Sequence, residues 1–192
     1  MKPAAAIACL LVAAGCHHAP RCTPGAANRV EVRNGSGALV LALQGTAICD
    51  AGWNRVGVLD TSKKDTYTLR DAGGKLRLEI VREAQGGGRA RDDAGPQLRL
   101  YRDAHELRVM RADGVPLGSV VPQTTTGSVI YDKSSAPLGK VSLRDRDAVV
   151  TDMAGTALTY VRPAGDATTA GVFGIPSLDP AEQLALYIYW SR

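Results

Sequence analysis

A strand-turn-strand rhythm recurs along most of this 192-residue chain, and it is the feature that most restricts what the chain can become. Arg29-Val30-Glu31-Val32-Arg33 alternates polar and apolar, Asn34-Gly35-Ser36-Gly37 reads as a turn, and Ala38-Leu39-Val40-Leu41-Ala42-Leu43 reads as a buried strand. The same unit returns with strand 67–70, turn 71–74 and strand 75–81, where alternation is strict. It returns again with strands 97–101 and 106–110 around a turn at 102–105. Period-two alternation sends successive side chains to opposite faces, so these segments predict antiparallel sheet with one buried face. With 5% aromatic residues and a single Phe, that face must be built mainly from Leu, Val, Ala and Ile.

The second half repeats itself. Residues 113–120 and 134–141 share Pro-Leu-Gly-x-Val at a 21-residue offset, and 154–161 keeps the Leu158-to-Val161 spacing. A period near 20 residues describes successive hairpins of a meander, and closing the meander into a barrel removes its unpaired edges. Between the hairpins, residues 85–96 are polar and rich in glycine and predict a flexible loop. The three glycines do not make a phosphate loop, because no Lys-Ser/Thr and no helix start follow them.

The C-terminal end differs. Asp179-Pro180-Ala181-Glu182 combines an N-cap acid, a proline at the first helical position and a glutamate three residues after the cap, which together start a helix. Its body, residues 183–190, is apolar on nearly every face and must be surrounded by protein or lipid, yet it is too short to cross a bilayer. The competing reading is a strand, since Leu186, Ile188 and Trp190 alternate with other residues. The caps favour helix. The expected fold class is therefore mainly β: an antiparallel hairpin meander closing into a barrel, with one hydrophobic C-terminal helix packed in or against it.

Repeated Pro-Leu-Gly-x-Val turns closed by one hydrophobic C-terminal helix resemble the tubby C-terminal-like superfamily, with its phospholipid scramblases and LURP-one-related proteins. The resemblance spans about 29–190 and implies a twelve-stranded barrel around the helix. No residue pattern of a phosphoinositide site or a scramblase calcium segment is present to carry over.

The N-terminus supplies a location. Met1-Lys2 is a short positive region, residues 3–15 are an uncharged apolar run, and Leu11-Val12-Ala13-Ala14-Gly15-Cys16 resembles the lipobox of bacterial lipoproteins. Leu more often stands three residues before the cysteine, where Ala13 stands here. An ordinary secretory signal is the alternative. The lipobox reading gives a signal peptide at 1–15, a lipidated tether at 16–28 beginning at Cys16, and a single β-rich domain at 29–192. His17 is not the aspartate that often marks inner-membrane retention, so the outer membrane is expected. Cys9 leaves with the signal and Cys16 takes lipid, which leaves Cys22 and Cys49 as one expected disulfide in an oxidising envelope.

Catalytic signals are sparse. His17 and His18 lie in the tether and His105 in a turn, so no metal cluster or cofactor is expected. No Gly-x-Ser-x-Gly elbow is present. Asp145, Asp147 and Asp152 could supply calcium ligands or an acid-base pair, but read more simply as a charged hairpin tip. Arg77, Arg99 and Arg108 lie on the polar side of strands and could bind anionic headgroups, the plainer reading being a solvated face. A net charge of +4 gives no footprint for nucleic acid. The sequence thus predicts a non-enzymatic envelope lipoprotein, anchored in the membrane by its lipid, that binds an envelope protein, glycan or lipid. The alternative is a lipid-binding or lipid-transfer protein, or an envelope hydrolase, that uses a barrel cavity.

Overall fold

The computed structural model describes residues 22–27, 29–84 and 87–192; the expected signal segment, Cys16, His17 and His18 lie outside the described residues. Seven hairpins build the sheet. They are β1 (Arg29–Asn34) with β2 (Leu39–Gln44), β3 (Ala47–Asp50) with β4 (Arg55–Asp60), β5 (Thr66–Asp71) with β6 (Leu76–Arg82), and β7 (Gly88–Asp92) with β8 (Gly95–Arg102). Then come β9 (Leu107–Arg111) with β10 (Pro116–Thr124), β11 (Gly127–Asp132) with β12 (Pro137–Arg144), and β13 (Asp147–Asp152) with β14 (Ala157–Arg162). Neighbours in sequence are neighbours in the sheet, and β1 pairs with β14 through Val32 and Val161, so the barrel is closed. It has fourteen strands, one hairpin more than the twelve implied by the tubby-like resemblance.

Six of the seven tips use one turn, which explains the repeat. The fourth turn residue is left-handed: Gly37, Trp53, Gly74, Gly114, Ser135 and Gly155 have φ of 82°, 62°, 86°, 91°, 64° and 92°. At five tips an Asn or Asp in first position accepts the N–H of the fifth residue, as Asp132 does from Ala136 and Asp152 from Thr156, both at 2.8 Å. Farther along the returning strand the ladder slips by one residue, leaving Val40, Val56, Arg77, Leu117, Leu138 and Leu158 as bulges. The Leu of Pro-Leu-Gly is that bulge. The Gly after it sits against the next hairpin; a Cβ on Gly139 would lie 2.2 Å from the Thr151 carbonyl oxygen. The repeat therefore runs round the whole barrel rather than through its second half alone.

The glycine-rich stretch expected as a loop contains strand β7 and the start of β8. Its inward positions are Gly88 and Ala90, both buried, while Arg89 and Arg91 point out. A Cβ on Gly88 would lie 2.5 Å from the Tyr189 hydroxyl, which itself donates to the Gly87 carbonyl at 2.6 Å. Glycine here marks a close approach between strand and helix.

Eight strands already make a barrel just wide enough for its own side chains to fill, so fourteen leave a bore that needs further filling. The C-terminal segment fills it. Helix α1 (Ala167–Ala170), a 3-10 turn (Gly171–Gly174) and helix α2 (Pro180–Trp190) form the plug. Residues 184–190 are all buried against the inward faces of the strands, including Leu59, Leu69, Leu78 and Ile80. This settles the last segment as helix and explains why it lacks a polar face. Asp179 accepts from Ala181 and Glu182 N–H groups at 2.9 and 3.1 Å, and Glu182 accepts from Asp179 N–H at 3.1 Å. At the other end Arg82 and Arg102 donate to the Tyr189 and Trp190 carbonyls at 2.6 and 2.8 Å, placing positive charge at the helix C-terminus.

Candidate functional site

Because the plug occupies the bore, three outer regions remain as candidates. The first is the wall of β1 to β3, which is covered by residues 22–27. Cys22 and Cys49 form the expected disulfide, with Cα atoms 5.9 Å apart. The Gln44 side chain bonds both the N–H and the carbonyl of Thr23, at 2.9 and 2.7 Å. Leu39, Ala42, Ala47 and Trp53 pack with the two cysteines in a small apolar cluster outside the barrel. Beside them Glu31 is buried on the outer face. Burial pushes its carboxyl up, but the Arg33 and Arg29 guanidiniums outweigh this and hold it below the usual range.

The second region is the mouth at the hairpin tips, where α2 begins. A cleft of about 320 Å³ runs between the helix and β2, β4 and β5, lined by Val40, Ile48, Val56 and Leu69 with Arg77 and Asp179 at its lip. That volume is at the lower end of ligand pockets, which run from ~300 to ~1,000 Å³. Arg77 is ion-paired with Asp179, the cap of α2. It also lines an adjoining cleft of about 340 Å³ with Asp92, Gln97, Arg111, Ser177 and Glu182. Glu182 is half-buried, and burial raises its pKa, Asp179 adding to the rise although its backbone N–H partly offsets it.

The third region is the wall of β7 to β9. Arg89 stands directly opposite Arg99, and Arg108 stands two pairs along, opposite Tyr101. Arg89, Arg91 and Arg108 are ion-paired with Glu83, Glu79 and Glu106. Of the three arginines singled out in the sequence, Arg99 and Arg108 thus share a wall, whereas Arg77 belongs to the mouth.

Of the acidic candidates, Asp145 and Asp147 line one cleft of about 620 Å³ with Arg29, Arg146 and Arg162, where Asp147 is bound by both ends of the Arg162 guanidinium, whereas Asp152 is at the far end of β13. His105 is exposed in the β8–β9 turn. Among the described residues no three His, Cys, Asp or Glu side chains come together as a metal site. The sequence reading overlooked the bulge residue Val56 and the turn residue Trp53, and it noted Leu158 only as part of the repeat. The signal for Trp53 was present: a tryptophan occupies a tip position that four of its five counterparts give to glycine.

Fold and surface define a class: a closed fourteen-stranded barrel, plugged by its own C-terminal helices, whose accessible chemistry is external. Structural comparison matches the chain with a solved protein of Arabidopsis thaliana, at 12% identity over 74% of this chain and 83% of that one, with a TM-score of 0.39. No family model and no curated protein matches the sequence.

Proposed function

We propose that this protein is a non-enzymatic lipoprotein of the cell envelope, held in the outer membrane by lipid on Cys16 and working as a binding or structural module for an envelope protein, glycan or lipid. The observation that carries the reading is the filled bore, whose helix is buried along residues 184–190. A barrel plugged in this way offers rims and walls to a partner and gives a reaction no enclosed chamber. The tubby-like resemblance agrees with it in arrangement, and no ligand is transferred from it. Among the described residues no helix is long and apolar enough to cross a membrane, and lipid on a cysteine supplies an anchor that needs none.

Mass spectrometry of the native N-terminus tests the anchor. An acylated Cys16 with residues 1–15 removed is expected, together with loss from the membrane fraction in a Cys16→Ser variant; an intact Met1 or an unmodified Cys16 overturns it. Turnover of an envelope ester, amide or glycan that is lost in Asp147→Asn or His105→Ala would overturn the non-enzymatic part. The apolar mouth cleft favours a second reading, the binding of a small amphipathic lipid. Native mass spectrometry would then find a bound lipid that Val56→Trp excludes.

A further inference from the structure

Residues 22–27 bear on how the barrel sits on its membrane. This inference rests on the anchored reading above. If lipid is on Cys16, Cys22, six residues on, is fixed to the barrel through its disulfide to Cys49 in β3. Chain spans at most ~3.3–3.6 Å per residue, so the leash reaches about 20 Å. Were Arg29 at the start of β1 the first fixed residue, the same arithmetic would give about 45 Å. The clasp also has hydrogen bonds of its own, from Gln44 to Thr23 at 2.7 Å and from Arg29 to the Ala26 carbonyl at 3.1 Å.

The shorter reach narrows the orientation. Fourteen strands at ~4.8 Å spacing give a girth of at least about 67 Å, so the opposite wall is on the order of 35 Å from β3 around the surface. A 20 Å leash cannot bring that wall to the bilayer. It reaches about four strands either way from β3, so it can bring down any side between β13 and β7; of the hairpin tips in that range, that of β5–β6 carries Asp71 and Lys75, whereas those of β13–β14 and β3–β4 carry exposed apolar side chains. Val56, Met153 and Leu158, three of the six exposed large apolar side chains among the described residues, stand there at 38%, 45% and 47%; of the others, Val115 is at the β9–β10 tip, beyond reach. Asp50 and Asp152 stand at the same tips, which suits a zwitterionic surface better than a strongly anionic one.

We propose that the corner made by the tips of β13–β14, β1–β2 and β3–β4 rests on a zwitterionic phospholipid surface, with Val56, Met153 and Leu158 entering the headgroup layer. The disulfide keeps this corner within reach, and with the corner down the arginine wall of β7 to β9, centred opposite β1, faces away from the membrane and is free for a partner.

Hydrogen exchange tests the pose on the full lipidated protein in phosphatidylethanolamine-rich vesicles, with the Cys16→Ser protein in solution as reference. Slowed exchange is expected at 50–56 and 152–158 and absent at 89–108. Two variants should lose it: Cys22→Ser/Cys49→Ser, and an insertion of about ten Gly/Ser residues after Pro20, which adds about 35 Å of reach while leaving the barrel and disulfide intact. Protection on 89–108, or tip protection that survives the longer tether, overturns the proposal. Intact mass on the same sample separates the two levels: an unmodified Cys16 removes the anchored reading and this inference with it, whereas an acylated Cys16 with the footprint elsewhere overturns only the pose.

Discussion

Replacing Asp179 with alanine isolates what the cap of the plug is worth. The carboxylate accepts two backbone N–H groups at the start of α2 and is ion-paired with Arg77 on β6. Losing an N-cap to alanine typically costs about 0.5–2 kcal/mol. The ion pair is more than a third exposed on both sides, so after solvent screening it adds about 0–1 kcal/mol. Because α2 is packed into the bore, its first turn cannot fray without exposing core, and the cost should reach the whole fold rather than one helix end. We expect Asp179→Ala to lower unfolding stability by about 1.5–2.5 kcal/mol, with Tm falling by about 2–4 °C for each kcal/mol. Asp179→Asn keeps an acceptor for the cap and removes the charge, so it should lose less than about 1 kcal/mol. Urea titration followed by tryptophan fluorescence and far-ultraviolet circular dichroism measures both. An alanine variant within about 0.3 kcal/mol of the parent, or an asparagine variant as damaging as alanine, would refute the reasoning.

Three further outcomes follow from the same geometry. Gly139→Ala forces a Cβ to 2.2 Å from the Thr151 oxygen and should cost about 2–3 kcal/mol, whereas Gly155→Ala meets open space at φ 92° and should cost about 1–2 kcal/mol, both read from urea midpoints. Removing the Cys22–Cys49 bridge, which closes 27 residues of sequence separation, should cost about 3.5 kcal/mol on the chain-entropy estimate, measured with and without reductant. Acid should destabilise the barrel through its turn carboxylates. Hydrogen bonds from Asn54 to Asp50, from Ser134 and Ala136 to Asp132, and from Arg162 to Asp147 hold these groups below the ordinary aspartate value of 3.8. The unfolded chain then binds more protons than the folded one, so stability is full above the unfolded value and is lost as pH falls through the folded values. Glu182, raised by burial, runs the other way: its contribution is complete at low pH and fades as pH rises past the ordinary 4.5. A melting temperature that held steady below pH 4 would contradict the balance of these shifts.

The sequence by itself determined the local structure, because its signals are local. Alternation at 29–33 and 75–81, the Asn or Asp that opens each of five tips, and the Asp179-Pro180-x-Glu182 cap are each read within a few residues. The disulfide followed from counting cysteines. What the chain could not reveal in one dimension is what meets across the barrel. Gly88 looked like loop because the Tyr189 ring that occupies its side-chain space is about a hundred residues away. Arg77 and Arg99 looked alike on alternating strands until α2 brought Asp179 to one of them. Likewise an apolar helix is compatible with lipid or protein around it, and only closure of fourteen strands made a bore wide enough to take it. Local propensity and pattern wrote the hairpins; tertiary closure, which depends on long-range packing, decided which surfaces were spent on the core and which were left outside.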